Sequence, residues 1–243
     1  MKADVRVFAN ARELSLRAAE AAVRTISEAA RRRGRCSLVL SGGSTPRTLY
    51  GLLASRFVEE IPWPLLHVFW GDERYVPSLD AKSNYRMAKE ALLEHVPCPA
   101  ANVHPMPTHF ASPDAAARDY EATLRTFFTD GRPCFDLVLL GLGPEGHTAS
   151  LFPGSPVLTE STRWVRAVSA PADPPTRLTL TWPALTGASN TYVLVTGSNK
   201  AQALRHVVSD APDEHLYPAA RIRLAEGAVI WWADKEAAGG LLP

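Results

Sequence analysis

A glycine-rich stretch at residues 141–150, GLGPEGHTAS, contains the histidine of this sequence that is best placed for catalysis. His147 follows two glycines, which permit a close approach of the backbone, and Glu145 stands two residues before it. A neutral imidazole that a carboxylate orients is a common general base for activating water. A structural histidine at a helix start is the alternative. The pattern favours His147 as the base.

A second polar stretch, SGGSTP at residues 41–46, has the features of an anion-binding turn. Its hydroxyls, its backbone N–H groups and the start of the following helical pattern can all face an anion. A tight turn between a strand and a helix explains the stretch equally well, because it matches neither the GxGxxG motif nor the lysine-containing P-loop. Lys200 is a cation suited to such an anion, although an isolated lysine at a helix start is more often only solvated.

A third stretch, GDER at residues 71–74, is predicted as a charged loop after an apolar run. Its charges either lock the loop through an ion pair or contact a substrate, and the sequence leaves both open. Covalent and metal chemistry are disfavoured, because neither a GxSxG elbow nor an HExxH motif occurs. The three cysteines are odd in number and scattered, so they predict neither a disulfide framework nor a zinc site.

Each of these stretches, and TGSNKA at 196–201, directly follows a short apolar run. An apolar run, a loop and a helical pattern in succession are typical of a parallel sheet, and we interpret residues 1–243 as one α/β domain. Because ligands bind beyond the carboxyl ends of such strands, the four stretches are expected to converge. The predicted strands are 36–40, 65–70, 135–140, 164–168, 178–181, 191–195 and 228–232, and the predicted helices are 11–33, 45–57, 84–95, 114–128 and 199–208.

The overall composition excludes several classes of partner. Lysine and arginine total 26 and aspartate and glutamate 25, so no overall basic field attracts nucleic acid or an anionic membrane. The chain has neither a leader pattern nor an apolar run approaching the roughly 18 residues of a membrane span. We therefore expect a cytoplasmic protein that binds a small molecule.

The sequence resembles the bacterial 6-phosphogluconolactonases over most of its length. The similarity lies in six motifs that occur in the same order: LSGGSTPRTLY, WGDERYVP, SNYRMAKEALL, FDLVLLGLGPEGHTASLFPGS, RLTLTWPAL and VTGSNKA. The resemblance implies a Rossmann-like, doubly wound α/β fold with a mostly parallel sheet and helices on both faces. It also implies hydrolysis of 6-phospho-D-glucono-1,5-lactone to 6-phospho-D-gluconate in the oxidative pentose phosphate pathway, without a cofactor or a metal. A monomer or a homodimer suits this activity.

The resemblance also implies roles for individual residues. His147 would activate water, with Arg74 and Lys200 as cationic partners of the sugar phosphate and Arg177 as a further candidate. The remaining phosphate contacts are assigned to Ser41, Gly42, Gly43, Ser44 and Thr45. The backbone of the glycine loop is assigned to the tetrahedral oxyanion, through Gly141, Gly143 and Gly146.

Glu145 departs from the family pattern, which usually reads GPDGH. The extra methylene shifts the carboxylate, so Asp72 is a second candidate for orienting His147. Catalytic roles are therefore assigned to His147, Glu145 and Asp72.

Two other functions fit parts of the pattern. The glucosamine-6-phosphate deaminases are similar in the SGGSTP loop and the GHxA histidine, but they carry a glutamate where this sequence has Phe152. Ring opening and enolisation need that acid–base group, so the lactonase is favoured. A non-catalytic phosphosugar sensor is the third candidate, and the intact set of His147, Arg74 and Lys200 argues against it.

Overall fold

Strands and helices alternate along the chain. The computed structural model describes residues 3–239 and 241, and this part of the chain contains ten strands and six α-helices. The strands are β1 (Asp4–Phe8), β2 (Cys36–Leu40), β3 (Leu66–Trp70), β4 (Asp72–Arg74), β5 (Val103–His104), β6 (Leu137–Gly141), β7 (Val165–Ser169), β8 (Thr176–Leu180), β9 (Asn190–Val195) and β10 (Ala228–Asp234). The helices are α1 (Ala11–Arg33), α2 (Ser44–Ser55), α3 (Asn84–Ala91), α4 (Pro113–Phe127), α5 (Trp182–Leu185) and α6 (Ala201–Val207).

The main sheet consists of parallel strands in the order β1-β10-β9-β6-β2-β3-β5. Its central strands β2, β6 and β9 are short apolar runs and are almost completely buried. Such continuous apolar runs are typical of parallel strands that are covered on both faces. The predicted α/β fold with a mostly parallel sheet is therefore confirmed.

Helix α1 has strong sequence signals at both ends. The Asn10 side chain accepts a hydrogen bond from Glu13 N at 3.0 Å, and the Glu13 carboxylate accepts one from Ala9 N at 2.9 Å. At the other end Gly34 takes up a left-handed conformation, with φ of 70°, and its N–H donates to Ala30 O. These caps explain why both boundaries of this helix agree with the sequence prediction.

Residues 72–74 form a strand, so the prediction of a loop at this position is wrong. β4 pairs antiparallel with β8, and β8 with β7, in a second, three-stranded sheet of the described chain. Gly71 connects the two sheets, because its N–H donates to Leu40 O at 2.8 Å and its carbonyl accepts from Leu180 N at 2.8 Å. Three polar residues are too few to show the alternation that marks a strand in sequence.

Two predicted helices are shorter in the structure. The helix predicted over 84–95 ends at Ala91, and the one predicted over 199–208 begins with the 3₁₀ turn Ser198–Lys200 before α6. Strands β1 and β5 were not predicted, because both lie at edges of the sheet and their half-exposed residues weaken the apolar pattern. Among the described helices, none is long and apolar enough to cross a membrane.

The buried Glu73 side chain links the second sheet to the start of α3. Its carboxylate accepts hydrogen bonds from the backbone N–H groups of Arg74, Asn84 and Tyr85, each at 2.7 Å, and from Ser83 Oγ at 3.1 Å. Burial raises the pKa of Glu73, and the hydrogen bonds from the backbone oppose that shift. The role of Glu73 is therefore structural: it holds α3 beside the strand that carries Asp72 and Arg74.

Replacing Glu73 by glutamine tests this link. In Glu73→Gln, the amide NH2 group replaces one of the two accepting oxygens and cannot accept a backbone hydrogen bond. We therefore expect the free energy of unfolding to fall by about 2 kcal/mol. Urea denaturation of both proteins measures the difference. Glu90→Gln on the exposed face of α3 is the control and should change stability little. Equal stability of Glu73→Gln and the wild type would contradict the assignment.

Candidate active site

A cavity of about 300 Å³ opens at the carboxyl ends of the central parallel strands. Its wall combines the polar stretches after β2, β6 and β9 with residues of β4 and β8. The lining residues are Ser41, Gly42, Gly43, Asp72, Arg74, Asn84, Gly141, Leu142, Gly143, His147, Ala149, Arg177 and Lys200. The structure therefore brings together the four stretches that the sequence analysis expected to converge.

His147 lies in the turn after β6, and its ring packs against two neighbours. The imidazole stacks on Phe152 with a centroid distance of 4.2 Å and an angle of 27° between the planes. On Gly143, an added methyl group would lie 1.9 Å from His147 Nδ1, so any side chain there would displace the ring. Nδ1 is enclosed, with no hydrogen-bond partner among the described residues. Nε2 is the ring nitrogen left to face the cavity.

Glu145, rather than Asp72, is the carboxylate in contact with the imidazole. Its Oε1 lies 3.1 Å from His147 Nδ1. The contact falls short of a well-aligned hydrogen bond, and Glu145 acts on the ring chiefly through its charge. No ion pair joins Asp72 to His147 within the described part of the chain.

The charges around His147 act in opposite directions on its pKa. Burial lowers the pKa of His147 below the usual value for histidine, and the Lys200 charge adds to this effect. The carboxylates of Glu145 and Asp72 oppose it. The net shift is downward, so the imidazole is neutral at pH 7, as a general base must be.

Asp72 is held at the cavity wall by two residues that the sequence analysis did not single out. Ser150 Oγ donates to Asp72 Oδ2 at 2.7 Å, and Asn84 Nδ2 donates to Asp72 Oδ1 at 3.3 Å and to its backbone oxygen at 2.9 Å. Gly42 leaves room for this amide, because a methyl group there would lie 2.0 Å from Asn84 Oδ1. Ser150 and Asn84 both lie within the motifs that the chain shares with the lactonases, but only the fold places them beside Asp72.

Arg74 and Arg177 lie directly opposite each other in the β4–β8 pair. Arg74 Nη1 donates to Lys82 O at 2.7 Å and Arg177 Nε to Pro174 O at 2.8 Å, while Arg74 Nε is buried without a partner among the described residues. Burial lowers the pKa of Arg177, and the Arg74 charge lowers it further. Like charges directly opposite each other destabilise a sheet, so this pair is suited to a bound anion.

The SGG turn adds uncharged donors to the same cavity. The amides of Gly42 and Gly43 donate to no other described residue, and Ser41 Oγ is buried without a partner among them. Tyr50 fixes the turn, because its hydroxyl accepts from Ser41 N and donates to Ser41 O, both at 2.9 Å. The turn leads into α2, whose N-terminus favours negative charge.

Not every residue assigned from the sequence lines the cavity. Ser44 is exposed, and Thr45 Oγ1 is paired with Thr196 Oγ1 at 2.7 Å. Gly146 packs against Tyr217, where a methyl group would lie 2.5 Å from the ring. Lys200 does line the cavity, and burial lowers its pKa while the Glu145 charge opposes this shift.

The amides of two loop glycines are not free to bind an oxyanion in this arrangement. Gly143 N donates to His147 O at 2.8 Å, and Gly146 N donates to Gly143 O at 2.9 Å. These bonds close the turn that carries His147, so both glycines shape the loop instead. Gly141 lines the cavity, and its assignment to the tetrahedral oxyanion stays a prediction. Within the described residues, no group of three or more His, Cys, Asp or Glu side chains could hold a metal ion.

The chain is similar to known proteins along its whole length. A family described as glucosamine-6-phosphate isomerases/6-phosphogluconolactonase matches residues 9–231. The 6-phosphogluconolactonase of Synechocystis sp. is 42% identical over 246 residues, covering 100% of both chains, and that of Mycobacterium tuberculosis is 40% identical over 248 residues, covering 99% of both. A solved structure of 6-phosphogluconolactonase from Trypanosoma brucei superposes with a TM-score of 0.87 at 32% identity, over 99% of both chains.

Removing the Glu145 charge tests the electrostatics of this site. Because the carboxylate raises the pKa of His147, Glu145→Gln should move that pKa further down. An NMR titration of the histidine ring signals measures the change, with the His147 signal assigned by its absence from His147→Asn. Glu226→Gln, which removes an exposed carboxylate paired with Arg132, is the control. An upward shift in Glu145→Gln would contradict the proposed balance of charges.

Proposed function

We propose that this chain, which belongs to the family of glucosamine-6-phosphate isomerases and 6-phosphogluconolactonases, hydrolyses 6-phospho-D-glucono-1,5-lactone to 6-phospho-D-gluconate. The relatives described above carry the name of this activity. The observation that carries the proposal is that one cavity is lined by a half-buried histidine with a lowered pKa and by a pair of opposed arginines. The histidine suits the activation of water, and the arginines suit the phosphate of the substrate.

The phosphate binds at the end of the cavity formed by β4, β8 and the SGG turn. Arg74 and Arg177 supply charge, and the free amides of Gly42 and Gly43 with the Ser41 hydroxyl supply further donors. Lys200 adds a third positive charge to the wall. A phosphate dianion there relieves the repulsion between the arginines. The phosphorylated lactone should therefore bind more tightly than the lactone without a phosphate.

His147 Nε2 takes a proton from water as the water oxygen attacks the lactone carbonyl carbon. The carbonyl becomes a tetrahedral oxyanion, which then reforms the carbonyl as the bond from that carbon to the ring oxygen breaks. The imidazolium returns its proton to the departing ring oxygen, which becomes a hydroxyl group. One water is consumed, and His147 ends neutral.

The proposal also covers the domain organisation and the cellular setting of the enzyme. Residues 1–243 act as one domain, without a cofactor or a metal, on a small-molecule substrate. The enzyme works in the cytoplasm in the oxidative pentose phosphate pathway, as a monomer or a homodimer and without a nucleic-acid partner. Support for this setting comes from the balanced charge and from the similarity to the named lactonases along the whole chain.

Acid release from freshly generated lactone, measured with and without the protein, tests the activity directly. The lactone also opens unaided in water, so the enzymatic rate is the excess over that background. Ammonia release from glucosamine 6-phosphate is measured beside it. Acceleration of lactone opening alone supports the proposal. Ammonia release alone would favour a deaminase, and silence in both assays would favour a sensor.

His147→Ala should abolish turnover while leaving the fold intact. Loss of the general base lowers the rate by about 10³-fold, to near the background of spontaneous opening. Circular dichroism and the midpoint of thermal unfolding check the fold. His215→Ala, at an exposed histidine outside the cavity, is the matched control and should retain the wild-type rate. Normal hydrolysis by His147→Ala would remove His147 from the mechanism.

Arg74→Gln should weaken substrate binding more than it slows the chemical step. Losing one charged hydrogen-bond partner of a phosphate raises KM by about 10- to 100-fold, with a smaller change in kcat. Inorganic phosphate should raise the Tm of the wild type and raise that of the variant less. Arg86→Gln, at an exposed arginine that pairs with Glu90, is the control. An unchanged KM would place the phosphate elsewhere.

A further inference from the structure

The Phe152 side chain packs face to face against the imidazole of His147. It is 4% exposed, and the two rings are stacked with their centroids 4.2 Å apart. The backbone around it is fixed by hydrogen bonds from Leu151 N to Thr148 O at 3.0 Å and from Ser155 N to Phe152 O at 3.1 Å. Phe152 is therefore a buried side chain on a hydrogen-bonded stretch of backbone, packed face to face with the imidazole.

Among the described residues, the polar contact of His147 Nδ1 is with Glu145 Oε1, at 3.1 Å and poorly aligned for a hydrogen bond. A catalytic or metal-binding histidine commonly donates from one ring nitrogen to a carboxylate or carbonyl, which fixes the orientation of the other. In His147 the enclosed Nδ1 lacks a well-aligned partner among the described residues, and Glu145 acts on it chiefly through its charge. The direction in which Nε2 points is therefore set by packing of the His147 ring against Phe152 on one side and against Gly143.

We propose that Phe152 is a positioning residue for His147: its ring holds the imidazole in the orientation that points Nε2 at the attacking water. This inference rests on the proposed function, because it assigns a geometric task within the proposed reaction. Phe152 itself exchanges no proton and forms no bond in any step.

Stacking on Phe152 also removes water from one face of the imidazole. Desolvation disfavours the charged form of a histidine, and the burial of His147 lowers its pKa accordingly. The charged groups that influence the ring are Glu145, Asp72 and Lys200. A substitution of Phe152 changes none of these charged residues, so a change in the pKa of His147 would report the loss of the aromatic face.

Phe152→Leu removes the aromatic face and keeps an apolar side chain. We expect kcat to fall by up to about 100-fold, because a small misplacement of a reacting group is costly, while KM changes little. The pKa of His147, measured by NMR on the free protein, should rise toward the usual value for histidine as water reaches the ring. The acid limb of the pH profile of kcat/KM should move to higher pH with it.

Two further variants separate positioning from a general loss of structure. Phe152→Tyr keeps the ring and should retain most of kcat and the wild-type pKa of His147. Phe57→Leu, at a phenylalanine that is 6% exposed and lies just beyond the end of α2, should lower stability without moving that pKa. A fall in kcat with an unmoved pKa and acid limb would overturn the proposal and leave Phe152 a core residue.

The design distinguishes this inference from the proposed function. Wild-type lactone hydrolysis tests the function, and the Phe152 variants test the positioning. If the wild type opens no lactone, the function fails, and the NMR titration still decides whether Phe152 controls the His147 ring. If the wild type is active and Phe152→Leu matches it in kcat and in the pKa of His147, only the inference fails.

Discussion

The position of Gly71 between two sheets is the constraint on which the site depends. One side of this residue continues the hydrogen bonding of the parallel sheet through Leu40, and the other begins the antiparallel sheet through Leu180. The chain therefore passes from β3 to β4 without a loop. Pairing of β4 with β8 then fixes the positions of Asp72 and Arg74 at the carboxyl edge of the parallel sheet. Arg177 reaches the same place only because β8 pairs with β4.

The cavity wall combines unpaired polar atoms with like charges. Buried polar atoms in folded proteins are nearly always paired, yet the cavity wall contains Ser41 Oγ, Arg74 Nε and His147 Nδ1 without partners among the described residues. The two arginines face each other across a strand pair. The Ser41 hydroxyl and the two arginines are therefore suited to a phosphorylated ligand, since phosphate oxygens accept from several donors at once and the phosphate charge offsets both guanidinium groups.

The carboxylates near the cavity have separate tasks, although two of them are neighbours in the chain. Glu73 accepts from backbone amides and holds α3, whereas Asp72 accepts from Ser150 and Asn84 and presents its charge to the cavity. Glu145 lies 3.1 Å from Nδ1 of the imidazole. The orientation of His147 then depends on packing against the Phe152 ring and the Gly143 backbone, and neither contact leaves a charge pattern in the sequence.

The sequence by itself determined the alternation of strands and helices, both ends of α1, and the edge of the sheet at which the polar stretches meet. These features follow from local apolar runs, from capping residues and from the geometry common to parallel sheets. Only the tertiary structure decided that residues 72–74 pair with β8, that Asn84 and Ser150 hold Asp72, and that Thr45 turns to Thr196. It also decided that the amides of Gly143 and Gly146 are used within their own turn. These outcomes depend on contacts between residues far apart in the chain or on backbone conformation in a glycine loop, and neither leaves a periodic pattern in the sequence.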